Sequence, residues 1–169
     1  MFRPRLGMSL ALAILAVASL TGRVVADEKV PFWGGWQGQV TITPLIGDPT
    51  FDVHVEIKGA GKGLHLGKFS VSVPHDVDRR SPPNPSFAVG EYVFTAANGD
   101  VVRATFTGQA VPYVLGVLYI VESATITGGT GRFEGATGNF ECERLFDTVA
   151  GTTIASFKGT ISSPGASKR

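Results

Sequence analysis

The run TITGGTGRFEGATGNFE, residues 125–141, decides how this chain is read. Its core, Thr127-Gly128-Gly129-Thr130-Gly131, is of the kind that opens many dinucleotide-binding domains. There a Gly-rich turn follows a buried strand and opens a helix whose N-terminus holds a phosphate. An acidic residue follows about 20 positions later, at the end of a second strand. Here only 38 residues follow Gly131, and they hold more Gly and β-branched alternation rather than an amphipathic helix. Gly135 and Gly138 limit any helix in the run to about one turn. The run is read as a turn between strands.

The segments on either side support that reading. Upstream, GVLYIVESATIT (116–127) alternates, and GNFECERLFD (138–147) and TTIASFKGTIS (152–162) follow downstream. SFAVGEYVFTAANGD (86–100) ends in Asn98-Gly99, a strong hairpin signal, and VVRATFTGQAV (101–111) is its partner. WQGQVTITP (36–44), FDVHVEIKG (51–59) and GKGLHLGKFSVSV (61–73) complete the set. Period-two alternation marks strands with one buried and one wet face. SPPNP (81–85) is a loop, because its Pro residues cannot join a ladder. HDVDRR (75–80) is read as a loop of mixed charge.

Eight closely spaced strands without a repeat predict one all-β domain, an eight-stranded antiparallel barrel, over 27–163. A two-sheet β-sandwich is the alternative. Gly38, Gly67, Gly90, Gly108 and Gly159 are expected to be bends where the sheet curls. Residues 164–169 are expected to form a disordered tail.

The 169 residues carry 22 Gly and a net charge of +1. The first 26 hold Arg3, Arg5 and Arg23 and no acid, so the remainder has 12 basic and 14 acidic residues. That balance gives no basic patch for nucleic acid. The opening Arg residues, an apolar run over 6–20 and Val24-Val25-Ala26 have the three-part layout of a cleavable signal peptide. Cleavage is expected near Ala26/Asp27, releasing a secreted or periplasmic protein with no membrane span. Cys142 is the only cysteine, so no internal disulfide can form.

With eight strands in view, ITGGTGRFEGATGNFE resembles the strand–turn–strand signature of the allene oxide cyclase and dirigent barrel superfamily. The matching residues are Gly128, Gly129, Gly131, Phe133, Ala136 and Gly138. GLHLGKFSV (63–71) also looks like a stretch of secreted bacterial proteins of this type. The resemblance implies a calycin-like barrel in which Phe133 plugs one end. It further implies an apolar ligand in the lumen, either bound or cyclised without a cofactor. It assigns no catalytic residue, because the family's catalytic positions do not align here.

Facing follows from alternation. Glu122 shares a face with Leu118, Ile120, Ala124 and Ile126, and Arg144 with Phe140, Cys142 and Phe146. His65 shares one with Phe69, Val71 and Val73. Buried charges must pair, so Glu122 and Arg144 are expected to meet across neighbouring strands, with His65 lining the same space. They would hold the polar end of a ligand whose body contacts Trp36, Val40, Phe140 and Phe157. Cys142 is read chiefly as a small core residue. His54, His65 and His75 are too far apart for a strand metal site, so no metal is expected. Binding of a small apolar or amphipathic molecule is the expected function, and a cyclase or isomerase using the same lumen is the alternative. The oligomeric state is left open, a homo-oligomer included.

Overall fold

The structure, a computed structural model, describes residues 28–80, 85–162 and 164–165. The expected leader and its cleavage point, loop residues 81–84 and tail residues 166–169 lie outside the described residues. The strands are β1 (Lys29–Pro44), β2 (Val53–Gly63), β3 (Gly67–Asp78) and β4 (Ser86–Ala96). They continue with β5 (Val101–Val114), β6 (Val117–Gly129), β7 (Gly138–Asp147) and β8 (Thr152–Ser162). Each pairs antiparallel with its neighbours in sequence, and β8 pairs with β1. That last ladder closes an eight-stranded barrel, removes both sheet edges and excludes the sandwich. Among the described residues no helix is long and apolar enough to cross a membrane.

Alternation sets the inside and the outside. In β5, Val102, Ala104, Phe106 and Gly108 point inward while Arg103, Thr105 and Thr107 face water. The inward side chains fill much of the lumen. Phe32, Phe69, Phe94, Phe140 and Phe157 form one aromatic cluster with ring centroids 5.0–6.2 Å apart. Tyr92 stacks on Phe94 at 5.4 Å. Each such ring contributes about 1.5–3 kcal/mol by leaving water.

Glycines make room for these large groups. A Cβ on Gly159 would come within 2.7 Å of the Cβ of Phe140, and one on Gly108 within 2.7 Å of Glu122 Cγ. The inner wall therefore alternates large and small residues. At Gly90, Gly108 and Gly159 the neighbouring strand approaches so closely that a Cβ has no room. Gly67 follows a turn with φ 67°.

Several strand boundaries differ from those read in the sequence. β1 starts at Lys29, seven residues before the expected Trp36, because Pro31 and Gly34-Gly35 interrupt its alternation. GKGLHLGKFSVSV is not one strand: β2 ends at Gly63, the chain reverses through Leu64-His65-Leu66, and β3 starts at Gly67. The stretch 75–78, expected in a loop, belongs to β3.

The Gly-rich run closes one end of the barrel. After β6 a 3-10 turn, η1 (Gly131–Phe133), folds Phe133 fully out of water. Gly131 has φ 61°, and a Cβ there would lie 1.8 Å from Asp100 Oδ1. The Asp100 carboxylate accepts from the Arg132 N–H at 3.4 Å and lies 3.7 Å from its guanidinium. A carboxylate thus packs against the Gly-rich turn, an arrangement that would repel a phosphate. Gly165 N–H donates to Arg132 O at 2.7 Å, which ties the chain after β8 to this turn.

Candidate functional site

The middle of the lumen holds a buried polar cluster. Glu122 on β6 lies directly across from Cys142 on β7 and from Gly108 on β5. Arg144, one inward position further along β7, reaches back to Glu122. Arg144 Nη2 donates to Glu122 Oε1 at 2.5 Å, and Nε lies 3.1 Å from both carboxylate oxygens. The two side chains are 3% and 0% exposed. Tyr92 OH, from β4 across the lumen, donates to Glu122 Oε2.

Electrostatics lock these states. Burial would lower the Arg144 value, but the adjacent Glu122 carboxylate outweighs it and holds the guanidinium charged. Burial, then the Glu122 charge, pushes the Tyr92 phenol well up, and the same two causes push up the Cys142 thiol. The phenol and thiol are therefore held in their neutral forms. His75 on β3 is 5% exposed and packs edge-on to Phe106 at 5.6 Å. Its Nδ1 lies 2.9 Å from Val73 O, a carbonyl that can only accept, so Nδ1 carries the proton. Burial, then the Arg144 charge, lowers His75 to about 4.

Beside this cluster a cavity of about 80 Å³ opens at the barrel end opposite η1. Val40, Val53, Val55, Val77, Leu118 and Phe146 are among its walls, and Arg144 and His75 line it as well. Ile42 and Arg79 sit at its exposed lip. The volume exceeds the roughly 10–15 Å³ that one water needs.

The residues picked from sequence separate into three places. Glu122, Arg144 and Cys142 come together in the lumen. Trp36, Phe140 and Phe157 lie in the aromatic packing, at 3% exposure each, and do not line the cavity, whereas Val40 does. Trp36 packs on Tyr92 at 6.3 Å, and its indole Nε1 is buried without a partner among the described residues. His65 is corrected: it sits in the β2–β3 turn with φ 65°, at the end of the barrel away from the cavity. The turn interrupts the parity that put it in phase with Phe69.

Tyr92 and His75 join the site without having been expected there. Tyr92 alternates with Phe94, and a buried phenol needs an acceptor, which should have pointed to a lumen carboxylate. His75 keeps the parity of Val71 and Val73, and only the neighbouring charges disguised it. No family model matches this chain, and a search of curated proteins gave no match.

Proposed function

We propose that this protein is a binding module that holds a small amphipathic molecule in the cavity at the open end of its barrel. The observation that carries this reading is the cavity's polarity: mainly apolar walls from seven strands, with Ser86 and Gln109 among them, surround a floor bearing Arg144 and His75. A pocket with apolar walls and a few convergent polar groups is the usual form of a small-molecule site, and at about 80 Å³ this one encloses a head and the first carbons of a body rather than a whole ligand. A polar head would meet the floor while an apolar body lies along Val53, Val77 and Leu118 and emerges past Ile42.

Binding is favoured over cyclisation on the same site. Both oxygens of the Glu122 carboxylate are engaged, by Arg144 and by Tyr92, so it is poorly placed to trade a proton with a ligand. Kinship with the allene oxide cyclase and dirigent barrels belongs to the proposal. It is supported by the Gly-rich signature lying between β6 and β7 with Phe133 turned inward. Export from the cytoplasm belongs to it too, on the strength of the leader-like N-terminus.

Native mass spectrometry of the purified protein, followed by extraction, tests the reading. An amphipathic compound released only on denaturation is the expected result. Protein that carries nothing and takes up no amphiphile at millimolar concentration would refute it.

A further inference from the structure

We infer that the molecule held in this cavity has an uncharged, hydroxyl-type head on an aliphatic body, an inference that rests on the binding reading above. The floor is already charge-balanced. Arg144 is the cation facing the cavity, and Glu122 neutralises it at 2.5 Å with both side chains buried. A carboxylate head would therefore leave a net negative charge out of water beside Glu122. An ammonium head would leave a net positive one beside Arg144. Uncompensated charge in such a place is costly.

The lip repeats the balance. Arg79, the other cation lining the cavity, donates from Nε to Asp52 Oδ2 at 2.9 Å, and its backbone N–H goes to Asp52 Oδ1 at 2.8 Å. Its neighbour Arg80 donates to Asp78 at 2.9 Å. Among the described residues, neither the floor nor the lip offers an anionic head a cation that lacks a carboxylate of its own.

The hydrogen-bonding pattern selects among neutral heads. Arg144 commits Nε and Nη2 to Glu122, and Nη1 makes no hydrogen bond among the described residues. A guanidinium nitrogen can only donate. His75 commits Nδ1–H to Val73 O, which leaves Nε2 as a bare acceptor. It stays in that form at neutral pH, since burial and Arg144 depress its proton affinity to about 4. A head that accepts from Arg144 and donates to His75 completes both, and a hydroxyl does each with one oxygen. An ester can accept but not donate. The aliphatic walls from Val53, Val55, Val77 and Leu118 then suit an alkyl body.

Titration calorimetry with four eight-carbon probes at pH 7 tests this on the intact protein. The probes are 1-octanol, octanoate, octylammonium and methyl octanoate. We expect 1-octanol to bind at least tenfold more tightly than octanoate or octylammonium. We also expect it to lose affinity in His75→Phe, where methyl octanoate does not change. Octanoate or octylammonium binding as tightly as 1-octanol would overturn the uncharged head and leave the amphiphile reading standing. Equal loss of both neutral probes in His75→Phe would overturn the hydroxyl assignment. No binding by any of the four would defeat the binding reading, and this inference with it.

Discussion

Replacing Glu122 with Gln and Arg144 with Met, singly and together, probes the interior most sharply. Arg144 holds Glu122 through Nε and Nη2 at 2.5–3.1 Å, with both side chains out of water. Glu122→Gln keeps an acceptor for Tyr92 OH, so the charge is what it removes, and the Arg144 guanidinium is stranded. Arg144→Met strands the Glu122 carboxylate without its cation. Each single change should cost roughly 3–5 kcal/mol. A loss of that size is a large share of the roughly 5–15 kcal/mol that holds a domain folded. The double variant buries no net charge and keeps similar volumes, so it should recover part of the loss, with a coupling of roughly 1–3 kcal/mol. Urea melts of all four proteins measure this, provided their m-values agree. Additive losses, or singles as stable as the parent, would refute the reasoning that the pair is dry and interdependent.

Three further outcomes follow from the same geometry. Gly131→Val should cost roughly 1–3 kcal/mol or more, since φ is positive and the new Cβ meets Asp100; NAD or ATP should leave the melting temperature unchanged, and a nucleotide-dependent rise would revive the phosphate-loop reading. Because His75 is held near 4, below its ordinary 6.5, the unfolded chain takes up that proton first as pH falls. Stability should therefore drop between about pH 6.5 and 4, by roughly 3 kcal/mol, and His75→Phe should flatten that window; an unchanged slope would count against a buried neutral His75. Cys142 should react with a thiol reagent only at the rate of unfolding, because the thiol is buried and its proton tightly held; fast labelling of the folded protein would show the lumen to be open at that point.

The sequence shows most of the barrel because its strands have one wet face. β7 alternates along its length and β5 as far as Gln109, so their inward sets, Phe106 on one and Phe140, Cys142 and Arg144 on the other, can be read directly. Phase alone likewise brings Glu122 beside Arg144. Legibility fails where parity breaks. The turn at Leu64-His65-Leu66 carries apolar residues and is flanked by glycines, as strand interiors here also are, so His65 reads as a lumen residue when it is a turn residue. The cavity is harder still, since its walls are the last turns of strand before the loops. Whether Val53, Val77 and Leu118 leave a space or fill it depends on volumes across the barrel, which no single strand encodes. Trp36, Phe140 and Phe157 show the inverse: their size suggests contact with a ligand, yet Trp36 and Phe140 pack on Tyr92, and Phe157 packs on Phe140.

Amide NMR during titration with 1-octanol is the direct test of the proposed uptake of an amphipathic molecule at the open end of the barrel. Saturable shifts confined to the cavity end are expected, at Val55, Val77, Ala88, Leu118 and Arg144, with η1 and the β2–β3 turn silent. Shifts spread over the outer wall, or none at saturating octanol, would contradict it.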